Sequence, residues 1–301
     1  MTNPTLSAGL RVAPDARIDL HTHSSVSDGT DTPTELIRQA AEAGLNWVAL
    51  TDHDTHSSWE EALAAAEDVP MNLLCGTEVS TNLNGNSVHL LAYGYEPGGV
   101  LDQMLAKARR SRITRAQDMV DGLAKDYEIT WEQVLAQTQG DGTTVGRPHL
   151  ADALVQTGEF PDRTAAFNGP LAGDSKYYVP YWAPSTPEAI SAVRDSGGVP
   201  VIAHPFSVTR DFTLTDEEIA LAVEAGLMGL ERDHRDHGLA ERQKVAGLAE
   251  RFGLFVTGSS DFHGDGKPNR LGENLTQPEV LQTILEHCAT GVYWAEQRDW
   301  V

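Results

Sequence analysis

One piece of local grammar occurs twice in this chain and narrows the fold at once. Thr32-Pro33-Thr34-Glu35 sets a capping threonine, a proline in the first turn and a glutamate three residues on, which is how a helix begins. That helix carries Leu36, Ala40 and Ala43 and stops at Gly44. The apolar strand Trp47–Leu50 follows and ends on Thr51-Asp52-His53. Thr186-Pro187-Glu188 opens a second such helix, Gly197-Gly198 close it, and residues 199–203 run into His204-Pro205. Helix, glycine stop, short apolar strand and polar strand end together mark α/β units around a parallel sheet.

Seven apolar runs qualify as strands: 18–20, 47–50, 73–75, 88–93, 199–203, 227–230 and 254–256. Five of them lead into the same kinds of residue. The first runs into His21, the second into Asp52-His53, the third into Glu78, the fifth into His204, and the last into Asp261 and His263. In barrels and open α/β sheets, chemistry collects just beyond the carboxyl ends of the strands. A shared recurrence of this kind therefore predicts one common site. His89 fits less well, because it sits near the start of its run.

Between residues 96 and 183 the pattern changes. No apolar strand is visible, and 101–123 and 131–137 read as helical. This segment holds 9 basic and 12 acidic residues, net −3, whereas the rest of the chain is 13 against 32, net −19. A strand-free stretch between two strands of an α/β core predicts a helical insert domain. The expected organisation is thus a first core part at 14–95, the insert at 96–183 and a second core part at 184–301. A length of 301 residues suggests two domains, or one large domain carrying an insertion.

Composition removes several classes of function. With 44 acidic against 22 basic residues the net charge is −22, and a protein that tracks duplex nucleic acid needs a broad basic face instead. The two cysteines, Cys75 and Cys288, are far apart and form no CxxC, so neither a disulfide scaffold nor a cysteine zinc knuckle is expected. The N-terminal residues show no apolar leader core, and no run of 18 apolar residues occurs. A soluble protein of a reducing, cytoplasmic compartment is the expectation. The P-loop, the dinucleotide-binding glycine pattern and GxSxG are all missing, which removes kinase, dehydrogenase and serine-hydrolase readings.

The sharpest signal is His21-Thr22-His23 after an apolar run. At an extended strand end, residues two apart point the same way, so both imidazoles can meet one ion. With Asp28, His53, Glu78, His89, His204, Asp261 and His263 the candidates number nine, all imidazole or carboxylate. That donor set suits Zn, Mn or Fe, and it exceeds one coordination shell. Glu78 could bridge two ions through its two oxygens. A hydrogen-bonded network of buried histidines is the competing reading.

Four motifs, His21-Thr22-His23, Thr51-Asp52-His53, Ala203-His204-Pro205 and Ser260-Asp261-Phe262-His263, stand in the order found in the PHP (polymerase and histidinol phosphatase) family, which the chain resembles over nearly its whole length. The resemblance implies a distorted (β/α)7 barrel with a mainly helical insert and a metal-dependent phosphoesterase holding two or three divalent ions. One ion would take His21, His23, Glu78 and Asp261; a second Asp28, His53 and His263; a third Glu78 again, His89 and His204. Some relatives carry histidine at the position of Asp28, so the second site here is richer in oxygen, which tilts it towards Mn or Fe.

Gly146-Arg147-Pro148-His149 resembles an element of the subgroup that includes 3′,5′-nucleotide bisphosphate phosphatases and enzymes trimming short RNA from its 5′ end. His237 falls where that subgroup carries a histidine, although its surroundings, Glu231 to His237, are far more charged here. The resemblance therefore implies Arg147, His149, Lys176 and His237 as substrate-binding residues, and His149, His237 and Asp261 as catalytic ones. The implied substrate is a 3′,5′-nucleotide bisphosphate, cut to a nucleoside 5′-monophosphate and phosphate. Exonuclease action on short RNA and a histidinol-phosphatase-like monoesterase remain alternatives. Metal-dependent C–N hydrolysis is less favoured, because Glu78 stands where many amidohydrolases use a bridging lysine. The basic run Lys107, Arg109, Arg110, Arg112 and Arg115 has two readings, a solvated helix face or a guide for an anionic nucleotide.

Overall fold

The computed structural model describes residues 11–138, 143–208, 212–295 and 299–300; residues 1–10, on which part of the leader expectation rests, lie outside them. Seven strands follow one another round the sheet in chain order: β1 (Ile18–Thr22), β2 (Trp47–Leu50), β3 (Asn72–Leu83), β4 (Asn86–Tyr93), β5 (Val199–Ile202), β6 (Gly229–Asp233) and β7 (Phe255–Gly258). Just past β7, Phe262 bridges Thr22 of β1, and the His23 N–H donates to the Phe262 carbonyl at 2.8 Å. The ring is thereby nearly closed. Two short strands, β8 (Val292–Trp294) and β9 (Asp299–Trp300), extend it from β3.

The sheet is not parallel throughout, and this corrects the sequence reading. β3 pairs antiparallel with β4, and β4 antiparallel with β5, while β1-β2-β3 and β5-β6-β7 are parallel. The cause is local. Asn84 and Gly85 both take positive φ, 54° and 91°, in a two-residue hairpin turn that asparagine and glycine favour. The run expected to end near Cys75 therefore continues to Leu83, and Glu78 lies within a strand rather than beyond one. Because β4 runs backwards, its beginning reaches the end of the barrel where its neighbours finish. His89 pairs with Ser80 there, so its awkward position in the sequence is a consequence of strand direction.

The helices form where the caps direct. In α1 (Pro33–Glu42), Thr32 and Glu35 complete the capping box. In α7 (Thr186–Asp195) the cap is Ser185, one residue earlier than the sequence reading, since its partner Glu188 must stand three residues on. Alternation along β2 shows how the layers are made. Val48 and Leu50 face a core shared with α1, α2 (Trp59–Asp68), α7, α8 (Asp216–Glu224) and α9 (Leu239–Phe252). Trp47 and Ala49 join Leu20, Leu74, Leu91 and Val201 on the other face, together with Leu281 and Ile284 of α10 (Pro278–Leu285).

Between β4 and β5 stand α3 (Gly99–Leu123), α4 (Trp131–Leu135), α5 (Arg147–Gln156) and α6 (Arg163–Phe167). No strand occurs among the described residues of 96–183. Met119, Leu123, Leu150, Leu154 and Leu171 give these helices their own core, while Leu101 and Leu105, early in α3, belong to the core of the barrel. One helix thus fastens the insert to the barrel. Among the described residues no helix is long and apolar enough to cross a membrane.

Candidate metal centre and its arginine flank

β1 delivers His21 and His23 to the same spot. Their Nε2 atoms face each other at 3.0 Å, and both face Glu78 Oε2 (3.2 and 3.0 Å) and Asp261 Oδ1 (3.5 and 3.4 Å). A tetrahedral ion with bonds near 2.0 Å has ligand atoms about 3.3 Å apart, so this set already has the size of a coordination shell. The tautomers agree with it. His21 Nδ1 lies 3.1 Å from the buried carboxylate of Glu231, which fixes a proton there and leaves Nε2 as the atom that would face an ion. His263 Nδ1–H donates to the Asp261 carbonyl at 2.8 Å, and its Nε2, buried with no hydrogen-bond partner, looks at Asp28 Oδ1 from 3.2 Å.

Glu78 is divided between two groups. Its Oε2 faces His21, His23 and His53, the last at 3.2 Å, while Oε1 faces His89 at 2.7 Å and His204 at 3.1 Å. A carboxylate so placed can bridge neighbouring ions. The convergent groups are His21, His23, Glu78 and Asp261; His23, Asp28, His53 and His263; and His53, Glu78 and His89. All nine positions singled out in the sequence come together at one end of the barrel.

Backbone strain accompanies the arrangement. His204 (φ 30°) and Asp261 (φ 53°) both occupy the left-handed region, just past β5 and β7. Non-glycine residues there cost on the order of 1–3 kcal/mol, a cost that packed surroundings must sustain. Asp52 has a supporting task. It accepts from the Ser24 N–H and Oγ and from Ser27 Oγ at 2.9, 2.7 and 2.6 Å, fixing the loop that carries His23 and Asp28.

The electrostatics call for cations. Burial opposes ionisation of Glu78, Asp28 and Asp261, yet adjacent imidazoles, and Lys267 beside Asp261, hold all three well below the usual carboxylate range. Glu231 is held low in the same way, chiefly by His21. Burial likewise opposes charge on His23, but its bonds to Asp261 and Glu78 lift the ring to about 9. Protons on these rings stand in for the positive charge that ions would bring.

Beside this cluster lies a second one of opposite sign. Arg112 and Arg115 are buried, so the solvated-face reading of the basic run fails for them, while Lys107 and Arg110 are exposed and Arg109 is half-buried. Arg112 Nε donates to Asp54 Oδ2 at 2.7 Å, next to His53. Arg115 stacks on Tyr181 and Tyr178, with Nε buried and without a hydrogen-bond partner. Arg147, on Phe167 and Tyr178, has one hydrogen bond, 3.0 Å to the Leu171 carbonyl. Burial first, and then the charges of Arg147 and Arg112, pull Arg115 down to about 10. Guanidinium groups that are desolvated, stacked and short of carboxylates are suited to an anion.

The remaining sequence candidates are dispersed. His149 is buried at the start of α5; its Nδ1 accepts the Gly146 N–H at 3.0 Å, so the ring proton sits on Nε2. His237 spends both ring nitrogens on backbone: Nδ1–H donates to the Arg232 carbonyl at 2.8 Å, and Nε2 accepts from the Phe206 N–H at 3.2 Å. Lys176 lies on the exposed side of the insert, 2.9 Å from Asp126, and is not brought to the centre. Sequence reasoning missed Glu231, Lys267 and His234, whose Nε2 approaches Asp261 Oδ2 to 3.5 Å. Lys267 has no diagnostic spacing, and Glu231 and His234 were two more charges in the charged run from Glu231 to His237.

A strand ring that presents imidazoles and carboxylates at one end, with no thiolate, defines a metal-dependent hydrolase. The PHP domain matches residues 19–97. A 3′,5′-nucleoside bisphosphate phosphatase of Chromobacterium violaceum is 33% identical over 271 residues, covering 89% of this chain and 95% of that protein. A 5′-3′ exoribonuclease of Haemophilus influenzae is 32% identical, covering 90% and 98%. A solved structure described as a metal-dependent phosphoesterase of Bifidobacterium adolescentis superposes with a TM-score of 0.88 at 44% identity, covering 90% and 96%. The chain belongs to the PHP family of metal-dependent phosphoesterases.

Proposed function

We propose that this phosphoesterase removes the 3′-phosphate of a 3′,5′-nucleoside bisphosphate, giving a nucleoside 5′-monophosphate and phosphate. The observation that carries the reading is the juxtaposition of the two clusters. Divalent ions, when bound, polarise a phosphoryl oxygen and acidify a water. His21, His23, Glu78 and Asp261 would hold one ion, Asp28, His53 and His263 a second, and Glu78, His89 and His204 a third. Mn and Fe suit this nitrogen–oxygen donor set at least as well as Zn. Arg147 and Arg115 then receive the phosphate that is not cut, and the tyrosines around them keep it out of bulk water. His149, with its proton on Nε2 and close enough to Asp28 to feel its charge, would donate towards the leaving oxygen; the ring bonds of His237 suit it to bracing the loop.

The test is a screen of the purified protein, with metal analysis, on adenosine 3′,5′-bisphosphate, an aryl phosphate and short 5′-phosphorylated RNA. Inorganic phosphate released fastest from the bisphosphate supports the reading. Mononucleotides released from RNA, with no phosphate from the bisphosphate, would favour 5′-3′ exonuclease action, for which the same arginine pair would hold the 5′ end.

A further inference from the structure

We infer that Lys267 is a ligand of the phosphoryl group under attack, tethered to Asp261 until ions and substrate are present. Lys267 follows the Asp261–His263 motif in sequence and lines one open cleft with Glu78, His89, Ser207, Asp236 and Asp261. Its side chain is 41% exposed, whereas that of Asp261 is 8% exposed. Nζ donates to Asp261 Oδ2 at 2.8 Å.

That oxygen has a second, permanent neighbour. His234 accepts the Asp236 N–H at Nδ1 (3.0 Å), so its proton is on Nε2, which lies buried 3.5 Å from the same Oδ2 without a hydrogen bond. Asp261 Oδ1 meanwhile faces His21 and His23. The carboxylate thus keeps one oxygen for an ion and a buried donor beside the other, whether or not Lys267 remains.

What holds Nζ in place is charge. Asp28 and Glu78 as well as Asp261 attract it, and burial of the ammonium opposes them. Two divalent ions would bring more positive charge than these three carboxylates carry, so with the centre loaded Nζ would no longer be attracted to Asp261. A flexible four-carbon stem lets the ammonium swing into the cleft, where a phosphoryl group held by the ions supplies the negative charge it has lost. No other lysine lines that cleft among the described residues. The inference rests on phosphoester chemistry and not on the nucleotide proposed above.

Wild type, Lys267→Met and Lys267→Arg, each loaded with Mn²⁺, are compared by metal analysis, by titration with inorganic phosphate and by kcat/KM on an aryl phosphate. Lys267→Met should keep its full metal content, because the residue it loses competes with cations for Asp261. Its Kd for phosphate should weaken about 10- to 100-fold, the scale of one charge-assisted bond, and kcat/KM should fall alongside. Lys267→Arg should recover part of both. Loss of an ion from Lys267→Met would make Lys267 a support for Asp261, and an unchanged phosphate affinity would remove it from the substrate; either overturns the inference. Should wild type release no phosphate from any ester, the phosphoesterase reading itself would fail, which is a different result.

Discussion

The strand ends and the insert solve opposite electrostatic problems. At the strand ends, buried carboxylates outnumber their permanent cations, and His21 and His23 offset part of the difference by taking protons, while burial pushes His53 and His263 the other way. In the insert, Arg112 and Arg115 are buried and Arg147 is half-buried, with Asp54 their single carboxylate partner among the described residues, and stacked tyrosines make up the difference. The two regions are joined physically. Thr144 N–H donates to the Val26 carbonyl at 2.9 Å, beside the Asp28 loop, and Arg112 reaches from α3 to Asp54. On the function proposed above, one region would hold cations and the other an anion. Their contact would give a phosphate ester two ends to be held by.

The comparison breaks most easily on the cation side. His21→Ala or Asp261→Asn removes a corner of a convergent set and should abolish turnover while lowering bound metal, read by metal analysis of the purified variants. A fully active His21→Ala protein without metal would contradict the role of the whole cluster. Glu231→Gln should cost about 10- to 100-fold in metal affinity, since the carboxylate that orients His21 and its tautomer is replaced by a neutral amide. Wild-type metal affinity in this variant would mean that His21 is positioned by packing alone.

A third prediction concerns pH. With the ring of His23 lifted to about 9 from an ordinary 6.5, the metal-free fold holds a proton that the unfolded chain releases. That proton contributes stability below pH 6.5, and the contribution is lost as pH rises through about 9. Ions need the neutral ring, so each proton displaced should raise metal affinity about tenfold per pH unit across the same window. Thermal melts of the chelated protein should therefore fall with pH while Mn²⁺ affinity climbs. Parallel trends would separate the imidazole protons from the metal sites.

The smallest effect is expected at His237. Replacement by Phe removes two backbone bonds of the loop after β6, which costs about 1–3 kcal/mol of stability. Turnover of the folded, metal-loaded variant should stay close to wild type. A collapse of kcat with unchanged melting would restore His237 to the catalytic role that the sequence suggested.

How much could be read without the structure follows from what each residue's neighbours are. His21, His23, His204 and His263 sit on or just past strand ends, where a period of two and a polar terminus give them away. The Asn84-Gly85 hairpin was equally legible, as a turn signal between two apolar runs, and recognising it would have placed Glu78 inside its strand and explained His89. Glu231 and Lys267 were not legible, because their roles depend on side chains roughly 210 and 6 residues away, Glu231 on His21 and Lys267 on Asp261, that only the ring closure and loop bring near. Arg115 was ambiguous for a related reason. Helical spacing places it with Arg112, but whether that face meets water or Tyr181 is a tertiary fact.

The central claim, that cations cut one phosphate while arginines hold another, is tested most directly with Arg147→Met. Its kcat/KM is measured on adenosine 3′,5′-bisphosphate and on a simple aryl phosphate, both relative to wild type. Loss of a charge-assisted bond to the second phosphate should lower the first value about 10- to 100-fold and leave the second nearly unchanged. Equal losses on both substrates would place Arg147 on the scissile phosphate or in the fold, and the two-phosphate account would be wrong.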